Sequence, residues 1–117
     1  MKIVAVTACP TGVALTYMAA TRLANGARAA GHSIKIETQG ALGVENVLTQ
    51  KDVANADVAI LAADIDVSGA DRFARSLVLR VSTSAAIEAP EAVFASAAAL
   101  VGGGGAASGP AATEGNV

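Results

Sequence analysis

Residues 8–16 read Ala8-Cys9-Pro10-Thr11-Gly12-Val13-Ala14-Leu15-Thr16, and the rest of the chain is arranged around them. Before them lies Lys2 to Thr7, an apolar run of strand length. After them, from about Val13 past Arg28, the pattern is helical. A strand that turns sharply into a helix is the opening unit of a parallel α/β fold. At such a turn the helix aims its unpaired N–H groups and the positive end of its dipole at whatever precedes it, which favours an anion. The single cysteine of the chain stands at that point. A helix N-terminus can lower a thiol pKa from about 8.5 to roughly 3.5–7.5, so Cys9 reads as a nucleophile.

The neighbouring residues suit an anion. Pro10 fixes φ and lacks an N–H, giving a stiff bend after Cys9, and Gly12 permits close backbone approach. Thr11 and Thr16 bring hydroxyls that can donate to an oxyanion or cap the helix. Pro10, Thr11, Gly12, Val13, Ala14, Leu15 and Thr16 are therefore the expected phosphate-binding loop. The plainer alternative makes Cys9 a small buried hydrophobe. The coincidence of Cys, Pro, Thr and Gly at a strand end, where open α/β sheets bind ligands, favours the functional reading.

Thr7 to Ala14, followed by Thr16-Tyr17-Met18-Ala19-Ala20, resembles the signature of the fructose-type IIB component of the bacterial phosphoenolpyruvate-dependent sugar phosphotransferase system. The similarity continues through Glu37-Thr38-Gln39-Gly40, Gly43, Asn46, Leu48-Thr49, Ala56-Asp57-Val58, Ala62-Ala63-Asp64-Ile65 and Arg72-Phe73-Ala74, and so covers roughly Lys2 to Phe94. The resemblance implies that Cys9 takes a phosphoryl group from a phosphohistidine on a IIA protein and hands it to a sugar held by a membrane IIC component. It also implies the strand order 2-1-3-4. One departure stands out: the family usually has a histidine where this chain has Leu15. An imidazole there could donate to a phosphoryl group, and leucine cannot.

A chain of 117 residues suits one domain with one core. With 53% hydrophobic but only 3% aromatic residues, that core must be built from Ala, Val, Leu and Ile. A net charge of −2 without a basic stripe, and too few aromatics to stack bases, argue against nucleic acid as a partner. One cysteine and one histidine, His32, make no metal-ligand cluster, and no cofactor is expected. His32 follows Gly31 and reads as a solvated turn residue. No signal-peptide pattern and no apolar run of membrane-spanning length is found, so the expected location is cytoplasmic, with tethering to the membrane face through IIC implied by the resemblance.

In order, Val13 to Ala30 is the first predicted helix, with Ala14, Met18, Thr21 and Ala24 or Ala27 toward the sheet and Arg22, Asn25 and Arg28 toward water. Gly31 should end it. Ser33 to Thr38 is an outer strand, and Gln39 to Leu48 a loop whose Gln39, Glu45 and Asn46 border the site if the sheet is parallel. Thr49, with Asp52, caps a short helix. Asp57 to Ala63 holds the third strand. Asp64 beyond it is either a general acid or, more plainly, a turn-capping residue. Arg72, in a short helical turn, is either a cation near the phosphate or half of an ion pair with Asp66 or Asp71. Gln39, Asp64 and Arg72 are the candidate rim of the site. Leu77 to Val81 is the fourth strand, Ser82 or Thr83 caps a helix, and Pro90 opens a final one to about Val101. These elements make an α/β three-layer sandwich with a four-stranded parallel sheet and helices on both faces, over residues 1–101. Residues 102–117 read as a flexible linker or tail.

The leading functional expectation is a phosphocysteine carrier. A docking module that carries no phosphate is the alternative that Leu15 supports. A low-molecular-weight phosphatase is a third reading, but those enzymes have arginine where Leu15 stands.

Overall fold

The computed structural model describes residues 1–10 and 14–103. Its elements are β1 (Lys2–Ala8), α1 (Ala14–Ala29), β2 (Ser33–Gly40), β3 (Gly43–Glu45), α2 (Gln50–Asn55), β4 (Val58–Ala63), a 3-10 turn (Ala70–Phe73), β5 (Val78–Val81), α3 (Thr83–Glu88) and α4 (Pro90–Gly103). The sheet order is β3-β2-β1-β4-β5. β1 pairs in parallel with β2 and β4, and β4 with β5. The four expected strands thus take the order expected of them. The sheet nevertheless has five strands and is mixed, because part of the expected loop 39–48 is strand: β2 runs on to Gly40, and Gly43–Glu45 folds back antiparallel on Thr38–Gly40. Gly43, at φ +94°, supplies the left-handed backbone that this tight reversal needs.

Alternation along β1 and β4 splits the apolar side chains between two faces. Ile3, Ala5, Val58, Ile60 and Ala62 meet Ala19, Leu23 and Ala27 of α1, Ala86 of α3, and Val93, Phe94 and Ala97 of α4. On the other face Val4, Val6, Ala59 and Leu61 meet Leu48, Val53 of α2 and Phe73. The buried stripe of α1 is Thr16, Ala19, Leu23 and Ala27. The expected stripe was wrong at three places: Ala14, Met18 and Thr21 are exposed, while Arg22, Asn25 and Arg28 are wet as expected. In a helix with alanines on every side, apolar pattern alone does not fix the phase.

Local chemistry sets the element ends. The His32 N–H donates to the Ala27 carbonyl and the Gly31 N–H to that of Arg28, a Schellman closure with Gly31 at φ +79° that stops α1 at Ala29, one residue short of the expected end. His32 is half-buried rather than solvated, its ring 5.7 Å from that of Phe94. Thr49 and Asp52 form a reciprocal capping box on α2. Ser82 accepts from Ala85 N–H to cap α3. Pro90 begins α4, which runs past Val101 to Gly103. The remainder of the expected tail lies outside the described residues. Gly26 is required inside α1 for packing, since a Cβ there would lie 2.9 Å from Phe94 Cε2 and 3.3 Å from Pro90 Cβ.

Candidate active site

The sheet places Cys9 at a switch in chain direction. β1 leads through α1 to β2 on one side, while β4, its other neighbour, leads away to β5. Ala8, the last residue of β1, is in register with Gln39 and with Ala63. Cys9 therefore emerges between two diverging connections at the C-terminal edge of parallel strands, the place where open α/β sheets form ligand crevices. Its side chain is only 2% exposed. Thr16, fully buried on the first turns of α1, donates its hydroxyl to Cys9 Sγ at 3.0 Å. Such a contact strengthens as negative charge builds on the acceptor. Pro10 and Ala14 are exposed beside it, and Leu15 is 39% exposed. Thr11, Gly12 and Val13 of the expected loop lie outside the described residues.

The candidate rim residues are placed by different means. Asp64 continues the β1–β4 ladder by one step: its N–H donates to the Ala8 carbonyl at 3.0 Å. Its carboxylate accepts from Thr83 N–H at 3.1 Å and from the Thr83 hydroxyl at 2.5 Å. Asp64 thus ties the residue before Cys9 to the start of α3, a link across 19 positions rather than the local capping of its own turn. Gln39 lies beside Ala8 in the sheet and grips Ser68, donating to its carbonyl at 2.9 Å and accepting from its N–H at 2.9 Å.

Arg72 pairs with Glu37, 2.7 Å away, and not with Asp66 or Asp71. Its Nη1 donates to Glu37 Oε1 and the Leu48 carbonyl, Nη2 to Glu37 Oε2 and the Ser68 carbonyl, and Nε to the Gly69 carbonyl. Those contacts use every N–H that a guanidinium has. Glu37 is as fully engaged, because Oε1 also accepts from Leu48 N–H and Oε2 from Gln39 Nε2. Burial pushes the Glu37 carboxyl pKa up, but the hydrogen bonds from Arg72, Gln39 and Leu48 outweigh it and hold it below the ordinary value. Hydrogen bonding to Glu37 raises that of Arg72.

Glu37 is the residue that sequence reasoning missed. In Ser33 to Thr38 it alternates, with Lys35, against Ile34 and Ile36, the pattern of a polar face on an outer strand, yet it is 1% exposed. Glu45 and Asn46, expected near the site, lie on and just after the outermost strand, with Glu45 opposite Thr38 and Asn46 at φ +56°. Among the described residues no group of three His, Cys, Asp or Glu side chains could hold a metal, and no helix is long and apolar enough to cross a membrane.

A family model described as "PTS system, Lactose/Cellobiose specific IIB subunit" matches residues 4–96. The chain is 50% identical over 93 residues to the "PTS system fructose-like EIIB component 2" of Escherichia coli K12, an alignment covering 80% of this chain and 88% of that one. It is 54% identical over 82 residues to the "PTS system fructose-specific EIIB'BC component" of Vibrio cholerae, covering 70% of this chain but 14% of that longer protein. Among solved structures, a domain of the fructose-specific iiabc component of Borrelia burgdorferi superposes with a TM-score of 0.79 at 49% identity, covering 82% of this chain and 91% of that one. With a family model matched over residues 4–96, a superposable fold and this extent of identity, the chain belongs to the IIB family of the sugar phosphotransferase system, in its fructose-type branch.

Proposed function

We propose that this domain carries a phosphoryl group on Cys9, accepting it from a phosphohistidine of a IIA protein and delivering it to a sugar held by a membrane IIC component. The observation that supports this most is the setting of the sulfur, at the sheet switch point with the Thr16 hydroxyl donated to it at 3.0 Å. As thiolate, Sγ attacks phosphorus in line. The S–P bond forms as the N–P bond to the donor histidine breaks, and the imidazole nitrogen keeps the electron pair and takes up a proton. In the second step a sugar hydroxyl oxygen attacks the same phosphorus and the S–P bond breaks with its pair on sulfur. The hydroxyl proton leaves to a base on the sugar-binding side. Sulfur is charged at the start of the first step and the end of the second. A hydrogen bond to a charged group is worth about 1.5–3 kcal/mol, so Thr16 serves both steps. The N-terminal end of α1 faces the same charge.

Names of relatives that join B and C components are consistent with a IIC partner. Leu15 supports a second reading, a IIB-like docking module without transfer, because an exposed leucine on the first turn of α1 offers no donor to phosphate. One experiment separates the two. The chain is incubated with phosphoenolpyruvate, the upstream phosphotransferase proteins and a fructose-type IIA protein, then analysed by intact-mass and peptide mass spectrometry. The expected result is a single phosphoryl increment on the Cys9 peptide, lost in Cys9→Ala. An unmodified wild-type chain in the presence of phosphorylated IIA would leave the docking reading in its place.

A further inference from the structure

The chemistry at Cys9 makes no use of the closed network on the opposite face of the sheet, where Glu37, Arg72 and Gln39 join three separate pieces of chain. Glu37 and Gln39 stand on β2, in register with Val6 and Ala8 of β1. Arg72 belongs to the 3-10 turn. Between them they hold both backbone groups of Ser68, the carbonyl of Gly69 and both backbone groups of Leu48. The segment from Asp64 to Gly69 is therefore fixed at two points. At its start Asp64 hangs from Ala8 and Thr83. At its end Ser68 and Gly69 are gripped by Gln39 and Arg72. Between the two anchors, Val67 turns into the core while Ile65, at 45% exposure, and Asp66 face outward beside the edge from which Cys9 emerges.

A buried ion pair is a costly way to hold a loop if stability is the only return, since apolar residues of similar volume often do as well. A fully hydrogen-bonded one fixes geometry more sharply than apolar contact can. Gly69 fits this role. At φ +73° it turns its carbonyl to Arg72 Nε, and a Cβ there would lie 3.0 Å from that nitrogen. We propose that Glu37, Arg72 and Gln39 are positioning residues of the transfer reaction, holding residues 64–69 as a rigid rim against which the phosphoryl donor protein seats before Cys9 attacks. None of them touches phosphate. The proposal rests on the phosphocarrier reading and assigns to that site the part of the protein that sets donor alignment.

The test measures phosphorylation of Cys9 by rapid quench, with a purified phosphorylated IIA protein of the fructose type varied in concentration. Wild type is compared with Gln39→Ala and Arg72→Lys at a temperature at which circular dichroism shows each variant folded. Gln39→Ala frees Ser68 while keeping the ion pair. Lysine keeps the charge of Arg72 but not its fork. The expected result is a rise of about tenfold or more in KM for the donor, with the saturated rate within about threefold of wild type, in Gln39→Ala, and a larger rise in Arg72→Lys. Should Arg72→Lys not fold, Gln39→Ala alone decides. Unchanged KM in a folded variant of lowered melting temperature would reduce the network to a stabilising role and overturn the proposal, as would a fall in the saturated rate at unchanged KM. If wild type takes no label at all, the phosphocarrier reading itself fails, and this proposal fails with it before any variant is compared.

Discussion

The two faces of the sheet are built on different plans. Toward α1, α3 and α4 the interior is mainly apolar and holds no buried charge among the described residues: alanine and small branched side chains dominate it, Leu23 and Phe94 are the bulk, and its buried polar residues are threonines such as Thr16 and Thr83. Toward α2 and the 3-10 turn the apolar cluster is smaller, and Glu37 and Arg72 complete it. The first face fits by close approach, shown by Gly26 against Phe94. The second fits by saturating hydrogen bonds. Close packing tolerates exchange of like volumes, whereas a saturated network tolerates almost no exchange, and it is the saturated network that borders the edge from which Cys9 emerges.

The sharpest way to break this contrast is Glu37→Gln. It leaves the Arg72 guanidinium without its counter-charge, and breaking a buried pair costs about 3–5 kcal/mol, here nearer the lower figure because Arg72 retains 17% exposure. Urea unfolding followed by circular dichroism should show the loss at neutral pH. A double change of Glu37 and Arg72 to methionine should not restore wild-type stability, because Leu48 N–H and the Leu48 carbonyl would lose their partners. Full recovery in the double variant would mean that the two faces obey the same rule.

Next in size is Leu23→Ala on the apolar face. Leu23 is completely buried, and a Leu→Ala cavity costs about 2–5 kcal/mol, so a loss of about 3 kcal/mol is expected. Acid should then separate the faces. The folded-state pKa of Glu37 lies below its ordinary value of 4.5, so its contribution is fully present above about that pH and drains away as pH falls through the lowered folded value. The gap between wild type and Glu37→Gln should therefore narrow on acidification, and the gap between wild type and Leu23→Ala should stay constant. Asp52, held to about 2 first by its hydrogen bond to Lys35 and then by Thr49, titrates in both comparisons alike.

The smallest expected effect is that of Gly26→Ala. Helix propensity favours alanine by about 1 kcal/mol, while overpacking costs about 1–3 kcal/mol. With Phe94 Cε2 only 2.9 Å from the new Cβ, a net loss of about 1 kcal/mol in the same urea assay is expected. A gain would show that Phe94 yields easily and that the apolar face is looser than its packing implies.

What the sequence disclosed divides along the same line. Thr49 with Asp52, Ser82, Gly31 and Pro90 announce themselves within a few residues, since capping and turn chemistry are local. The position of Cys9, just past β1 and ahead of α1, was legible for the same reason, strand and helix being neighbours in the chain. The phase of α1 was not, because its alanines surround the helix and Thr16, a polar residue, belongs to the buried stripe. β3 was hidden in a stretch that reads as turn, three residues whose pairing is tertiary. The partner of Arg72 was hidden for a related reason. Glu37 lies 35 positions earlier in a strand whose alternation points it outward, and only the fold closes that gap.

The placement of β1 also has a consequence in time. This strand precedes both of its neighbours in the chain, yet it lies between them, and the carbonyl of Ala8 meets its last partner only at Asp64, which is secured in turn by Thr83. During synthesis at about 5–20 residues per second, the cysteine leaves the ribosome several seconds before the residues that shape its surroundings exist. The surroundings of Cys9 are thus completed late and all at once, when the far half of the domain arrives, and a truncated or half-made chain carries the thiol without them.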